Sequence, residues 1–143
     1  MAGPWQPYLA GFHAERAGIS ETVLRRARRA DGDPYDWLRS ALPDGGPVVD
    51  LACGSGPLAP RVGRRWLGVD RSPEEADLAA DRARGRVVVG DASAVPLGSG
   101  CADAVVCSLA LMLVEPLDAV LVRSGASSDR VAGSWPSCPP PDP

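Results

Sequence analysis

Three aspartates, Asp50, Asp70 and Asp91, each follow a short apolar run of the sequence. A segment of small residues, 50–56, begins at the first of them. Small residues let the backbone approach an anionic ligand, and a carboxylate roughly 20 residues further on, as Asp70 is, can accept hydrogen bonds from both hydroxyls of a ribose. The three carboxylates would meet in one crevice if the runs are neighbouring parallel strands. The pattern predicts a nucleotide-type binding site.

Four short apolar runs would position these carboxylates. They cover residues 48–51, 66–70, 87–91 and 104–107. Their apolar character is continuous, which is typical of parallel strands buried on both faces. The stretch 73–82 between the second and third runs is rich in helix formers and has a proline in its first turn. The alternation predicts an α/β fold with a parallel sheet.

The residues before the first apolar run have a helical pattern. One helix is expected over 20–30, with Ser20 as its N-cap, and a short second one over 34–38, opened by Pro34. A turn is expected at 44–47. These segments predict a helical N-terminal cap over residues 1–46.

Composition limits the class of protein. The chain has 143 residues, 45% of them hydrophobic and 23% charged, which fits one ordinary domain. A net charge of −3 and a pI near 5.1 disfavour a nucleic-acid partner, since duplex binding needs a clustered cationic surface. Neither a signal peptide nor a membrane span is recognisable, so no membrane partner is expected and the predicted location is cytoplasmic.

The four cysteines form no C-x-x-C pair, and the single histidine, His13, is distant from them in sequence. We therefore expect free thiols and no metal site. Tyr8, His13 and Arg16 either close over a substrate or serve as packing and surface residues of the cap. The arginines within 25–29 are interpreted as a solvated helix face.

Four segments in order resemble the motifs of class I S-adenosylmethionine-dependent methyltransferases. They are 48–56 (VVDLACGSG), 68–72 (GVDRS), 90–97 (GDASAVPL) and 101–111 (CADAVVCSLAL). The resemblance is to the small-molecule branch, methyltransferase type 11-like, which includes quinone-biosynthesis C-methyltransferases, and it covers residues 48–121. It implies a Rossmann-like doubly wound parallel sheet, incomplete with about four strands, as a core over 47–121.

The resemblance also implies S-adenosyl-L-methionine as the cofactor and a set of residues around it. The set is Asp50, Ala52, Cys53, Gly54, Ser55, Gly56, Asp70, Arg71, Asp91, Ala92, Ser108 and Leu109. At the methionine end, Asp50 would lie near the ammonium group and the backbone amides of 52–56 would hold the carboxylate. Ser108 and Leu109 would line the floor of the site below the sulfonium.

At the adenosine end, the resemblance implies that Asp70 chelates the ribose diol. Asp91 would accept from the exocyclic amine of adenine, the Ala92 N–H would donate to a ring nitrogen, and Arg71 would cover one face of the ring. Methyl transfer needs orientation and exclusion of water more than a covalent nucleophile. No catalytic base is assigned.

The implied activity is methyl transfer to a small-molecule acceptor, at carbon, oxygen or nitrogen. The segment 107–110 lacks the Asn/Asp-Pro-Pro-aromatic pattern of enzymes that methylate amino groups of nucleic-acid bases. A second hypothesis is an NAD(P)- or FAD-binding oxidoreductase, because Gly54-x-Gly56-x-x-Ala59 fits the loose dinucleotide fingerprint. The acids at 50 and 91 favour the methyltransferase, and a non-catalytic remnant is the third hypothesis.

The segment 122–143 is predicted to be a disordered tail rich in proline and serine, since five of its last eight residues are proline. Read in another frame, codons for 122–139 can encode the Arg-Val-Leu-Arg-Pro-Gly-Gly segment that follows the fourth motif in the family. We hypothesise a frameshifted or truncated ending, which the gene's nucleotide sequence would test. The fourth strand would then be an edge that self-associates, with little turnover; the oligomeric state itself is not predicted.

Overall fold

A computed structural model describes residues 5–95 and 102–114 of the chain. Three helices come first, α1 (Gln6–Glu15), α2 (Ile19–Leu24) and α3 (Pro34–Ala41). The following elements alternate as β1 (Val48–Leu51), α4 (Ala59–Val62), β2 (Trp66–Asp70), α5 (Pro73–Ala83), β3 (Val87–Val89) and β4 (Ala104–Val106). The predicted tail over 122–143 lies outside the described residues, as do parts of the third and fourth motifs.

The four strands form one parallel sheet in the order β3-β2-β1-β4. This arrangement confirms the predicted α/β fold. Asp50 lies opposite Gly68 of β2 and Val106 of β4, and Asp70 lies opposite Val89 of β3. Both aspartates therefore stand at the carboxyl edge of the sheet, where ligands of such folds bind.

The two central strands differ from the outer two in burial. β1 is buried throughout and β2 almost so, as continuous apolar runs predict. β3 and β4 are only partly buried, and Val89 is 57% exposed. The expectation of burial on both faces fails for them because, within the described residues, each is an edge strand. Self-association through β4 stays a prediction.

Helix α5 confirms the helix predicted over 73–82. The Ser72 hydroxyl accepts from the backbone N–H of Glu75 over 3.3 Å, and Pro73 supplies the fixed φ of the first turn. The helix ends at Ala83, and its C-cap Arg84 has a left-handed φ of 52°. Local sequence signals account for the start of the helix.

Helix α2 is shorter than predicted and begins differently. Its N-cap is Gly18, with a left-handed φ of 79°, and the Ser20 side chain makes no capping bond. The helix ends at Leu24 instead of near residue 30, because the chain turns back so that Arg29 and Gly32 exchange backbone hydrogen bonds of 3.0 and 3.3 Å.

Helix α3 begins at Pro34 as predicted and continues to Ala41. Asp33 and Asp36 form a reciprocal capping box at its start. Arg61 of α4 reaches both carboxylates, over 2.7 Å to Asp33 Oδ2 and 2.6 Å to Asp36 Oδ1. These ion pairs fasten the third helix to the element that follows β1.

Helix α1 was not predicted as a separate element. Its apolar residues are spread around the helix, so it has no buried residue and no apolar stripe. The hydrophobic core lies instead on the two faces of the sheet, around Trp66 and Leu58 on one side and around Val69 and Leu51 on the other. Within 5–95 and 102–114, every helix is too short or too polar to cross a membrane.

Candidate functional site

A cavity of about 730 Å³ lies between the carboxyl edge of the sheet and helices α1 and α2. Its volume is in the range of small-molecule sites, roughly 300–1,000 Å³. All but one of the predicted site residues contribute to its wall. They are Asp50, Ala52, Cys53, Gly54, Ser55, Asp70, Arg71, Asp91, Ala92, Ser108 and Leu109.

Gly56 is the exception, and its place differs from the predicted one. A Cβ added to it would lie 2.9 Å from the Cβ of Ala79, and its φ is 70°. Gly56 therefore lets helix α5 pack closely against the loop after β1. Its small size serves packing rather than contact with a ligand in the cavity.

The amides of the loop after β1 are largely engaged within the protein. The Cys53 N–H donates to the Val69 carbonyl over 3.1 Å, and the Gly54 N–H to Oδ2 of Asp70 over 2.7 Å. The Gly56 N–H donates to the Cys53 carbonyl over 3.1 Å. We expected these amides to face an anion; these three instead fasten the loop to β2 and to itself.

The helix that follows this loop is also shorter than a nucleotide-binding fold would suggest. α4 has a single turn, Ala59–Val62, and continues as a 3-10 turn to Arg65. One turn has little aligned dipole, so this helix contributes little electrostatic attraction for an anion.

Asp70 is nearly buried, and both its oxygens accept from the backbone. Oδ2 accepts from Gly54 and Oδ1 from the Ser72 N–H over 2.9 Å. A carboxylate has about four acceptor positions, so two remain. Fixed in this way at the end of β2, Asp70 can accept from a further pair of donors without moving.

Asp50 is buried beside it, and one oxygen has no partner. Oδ2 accepts from the Trp66 indole N–H over 3.0 Å, whereas Oδ1 makes no hydrogen bond to any described residue. Burial raises the pKa of Asp50 to about 7, against the lowering effect of the Trp66 bond and with a further increase from Asp70. An unpaired buried carboxylate oxygen is costly, so it favours a ligand that brings an N–H donor or a positive charge.

Asp91 stands at the third strand and is exposed. Its Oδ1 accepts from both the hydroxyl and the backbone N–H of Ser93, over 2.7 and 2.8 Å, and these bonds hold the pKa of Asp91 below its usual value. Its Oδ2 makes no bond to the described residues. An ionised carboxylate with one oxygen available is suited to accept from an amino group.

Two non-glycine residues of the wall have left-handed backbone conformations. Ala52 has φ 53° and Leu109 φ 58°, and each lies just beyond an adjacent strand, β1 or β4. Such conformations are uncommon outside glycine and collect at ligand sites. Leu109 is 59% exposed. The wall thus keeps an apolar side chain next to the polar strand ends.

Buried carboxylates join helices α1 and α2 to the sheet layer, and the sequence alone did not single them out. Glu75 accepts from His13 Nδ1 and from the Gly18 N–H, each over 3.0 Å. Glu21 accepts from the Ser55 hydroxyl over 2.7 Å and from Arg82 over 2.6 Å. One available signal was the place of Glu75 one turn before Ala79, on the face of α5 that packs inward.

Arg71, which is predicted to contact the adenosine end of the cofactor, lies next to the first turn of α1. Arg71 bonds to the side-chain oxygen of Gln6. α1 therefore runs across the cavity from Arg71 at its beginning to Glu75 at its end. The helix forms a roof over the strand ends.

Cys53 and Cys107 are free thiols. Burial raises the pKa of the Cys53 thiol above its ordinary value, which makes it a poor nucleophile. In the part of the chain that the structure describes, no cluster of three His, Cys, Asp or Glu side chains could hold a metal ion.

Residues 49–124 match the family described as a methyltransferase domain. Among solved structures, a Thermotoga maritima protein described as a S-adenosylmethionine-dependent, possible histamine N-methyltransferase has a TM-score of 0.62 at 21% identity, with 79% of this chain and 54% of that chain covered. A TehB-like S-adenosylmethionine-dependent methyltransferase from Corynebacterium glutamicum has a TM-score of 0.59 at 22% identity. The aligned region is 83% of this chain and 68% of that chain.

An amino pentose methyltransferase from Micromonospora echinaspora, solved with S-adenosylmethionine bound, gives a TM-score of 0.53 at 24% identity. The aligned region is 85% of this chain and 51% of that protein. This chain thus spans about half the length of that protein and of the Thermotoga protein. No curated protein matches the chain.

Proposed function

This chain belongs to the methyltransferase domain family, and we propose that it binds S-adenosylmethionine in the cavity beneath α1 and α2. The proposed reaction is transfer of a methyl group to a small-molecule acceptor. When bound, S-adenosylmethionine supplies an electrophilic methyl group on a sulfonium sulfur. The observation that carries the proposal is Asp50, a residue of the cavity wall whose buried Oδ1 has no hydrogen-bond partner among the described residues.

The methionine end of this cofactor carries an ammonium group, which fits the environment of Asp50. An ammonium provides both the missing N–H donor and the positive charge that a buried carboxylate favours. The loop amides of Cys53 and Gly54 already have protein acceptors. The side chains around the loop therefore orient this end of the cofactor more than the backbone does.

The adenosine end is assigned to the carboxylates of the next two strands. Asp70 keeps two acceptor positions for the ribose hydroxyls, and Asp91 keeps one oxygen for the adenine amine. Arg71, exposed and bonded to Gln6, lines the cavity and is assigned to cover one face of the ring. Each hydrogen bond to a charged group contributes about 1.5–3 kcal/mol, so Asp70 carries the larger share.

Helices α1 and α2 exclude water from the reacting atoms. Leu9, Phe12 and Ile19 contribute apolar surface to the cavity wall. Methyl transfer is accelerated by orientation in a site of low water content. Among relatives of similar fold, one is described as acting on an amino pentose and one as a possible histamine methyltransferase, which supports small acceptors that bear nitrogen or oxygen.

The dinucleotide oxidoreductase hypothesis is disfavoured. Its fingerprint depends on a glycine that approaches a pyrophosphate and on a helix that begins at the loop. Here Gly56 contacts Ala79 and the helix after the loop is one turn long.

The test is isothermal calorimetry with S-adenosylhomocysteine and, separately, with NAD. We expect heat from the adenosyl ligand and loss of most affinity in Asp70→Ala, with melting temperature measured on the same samples. Asp77→Ala, an exposed position of α5 outside the cavity, is the matched control. Binding of NAD alone would overturn the proposal.

A further inference from the structure

The only histidine of the chain lies in the cavity wall and is held by a buried carboxylate. His13 is in the last turn of α1, and its Nδ1 is 3.0 Å from Oε1 of Glu75. The Glu75 side chain is 2% exposed and the His13 side chain 28%. The pair therefore joins an anchored acid to an imidazole that remains accessible from the cavity.

Glu75 is fixed from two directions. Its Oε2 accepts the Gly18 N–H over 3.0 Å while Oε1 meets the imidazole. Because a carboxylate only accepts, Nδ1 must carry the proton in this bond. In the neutral ring the lone pair is then on Nε2, which makes no hydrogen bond to any described residue.

Two other acidic groups in the wall, Asp70 and Glu21, have fixed partners, whereas Asp50 and Asp91 each keep one oxygen and are assigned to the cofactor. Asp70 accepts from two backbone amides, and Glu21 accepts from Ser55, Arg25 and Arg82. A general base needs an available lone pair and a partner that stabilises its protonated form. His13 with Glu75 meets both conditions.

We propose that His13 is the general base of the methyl transfer, and that Glu75 is the residue that positions it. The inference rests on the proposed function and specifies its substrate class. The acceptor atom is an oxygen or nitrogen that loses a proton when it is methylated, as in a phenol or an amine.

The step balances without a further reagent. The acceptor's proton passes to Nε2 of His13, and a lone pair of the acceptor atom forms the bond to the methyl carbon. The pair of electrons in the carbon–sulfur bond goes to sulfur, which leaves as the neutral thioether. Glu75 stabilises the imidazolium until its proton is released to water.

The first test needs no acceptor. In protein labelled with ¹⁵N-histidine, the single imidazole gives an unambiguous spectrum whose nitrogen shifts identify the tautomer. In the neutral ring we expect the Nδ1–H tautomer in the wild type and a mixture of tautomers in Glu75→Gln. A wild-type ring protonated at Nε2 alone would overturn the proposal.

The second test uses S-adenosylmethionine with a tritiated methyl group and a pool of phenols and amines small enough for the cavity. His13→Gln should lower turnover by about 10²- to 10⁴-fold, with S-adenosylhomocysteine affinity changed less than about threefold. Glu75→Gln should lower it by a smaller factor. Glu15→Gln, on the same helix but outside the cavity, is the control.

The outcomes separate the two proposals. If wild type does not bind S-adenosylhomocysteine, the proposed function fails. If it binds but His13→Gln turns over normally, or loses affinity and melting temperature instead of turnover, His13 only fastens the roof helix. Labelling of carbon alone, or of no member of the pool, contradicts the substrate class.

Discussion

The Trp66 indole donates a hydrogen bond of 3.0 Å to Oδ2 of Asp50, and both side chains are buried. The bond joins the neighbouring strands β1 and β2 beneath the candidate site. It satisfies one oxygen of Asp50 and leaves Oδ1 without a hydrogen-bond partner among the described residues. Consequently the protein without ligand retains a carboxyl group that is costly to ionise.

We expect Asp50 to make stability fall as the pH rises from about 4 to about 7. Its pKa is about 7 in the folded protein against an ordinary 3.8, so the folded state holds the proton after the unfolded state has lost it. The stabilisation is full below the unfolded pKa and lost as the pH passes through the folded one. The stabilisation lost over this pH range is on the order of 4 kcal/mol.

The measurement is urea unfolding of the wild type and Asp50→Asn at pH 5 and pH 8. The asparagine variant should gain in relative stability at the higher pH because it cannot ionise. A difference between the two proteins that does not change with pH would contradict the assignment.

Ligand binding near pH 7 should release a proton from Asp50. An ammonium group beside the carboxyl favours its ionised form, so the folded pKa falls on binding. Calorimetry of S-adenosylhomocysteine in buffers of different ionisation enthalpy gives the number of protons released. Asp50→Asn should remove this dependence on the buffer; an unchanged dependence would place the proton elsewhere.

Asp70→Ala should weaken S-adenosylhomocysteine binding more than Asp91→Ala does. Asp70 is assigned two ribose hydroxyls and Asp91 one amino group, at about 1.5–3 kcal/mol for each bond to a charged group. Dissociation constants by calorimetry give the comparison, with melting curves to detect unfolding. Equal losses would mean that the two roles are assigned wrongly.

Gly56→Ala should lower stability by about 1–3 kcal/mol while any folded protein keeps its ligand affinity. The new methyl group would lie 2.9 Å from Ala79 Cβ in a left-handed conformation with φ 70°. Gly45→Ala is the matched control, because nothing lies within 4 Å of its added Cβ and its φ is not left-handed. Similar melting temperatures for both variants would refute the packing role.

The elements with local signals were predictable from sequence. Ser72 and Pro73 define the start of α5, Pro34 opens α3, and continuous apolar runs indicate β1 and β2. The length of α2 was not predictable from sequence. The helix ends at Leu24, and no strong helix breaker follows that residue directly.

The loop amides show the limit of sequence reasoning for the site. A glycine-containing segment indicates that the backbone approaches another group closely, but it does not indicate whether that group is a ligand or part of the protein. The acceptors of the Cys53 and Gly54 amides are on β2, so only the tertiary fold reveals them. The partners of Glu21 and Glu75 are likewise distant in sequence, since Ser55 is 34 residues from Glu21 and His13 is 62 residues from Glu75.

The buried carboxylates of Glu75 and Glu21 make helices α1 and α2 poor candidates for exchange between homologues. A chimaera that takes α1 and α2 from another protein would leave Glu75 without His13, and Ser55 and Arg82 without Glu21. Both pairs are part-buried, and a buried acceptor left without its partner, as Glu75 would be, costs about 1–3 kcal/mol. Acceptor specificity in this scaffold must therefore be engineered by substitutions within the native helices, with both carboxylate networks kept intact.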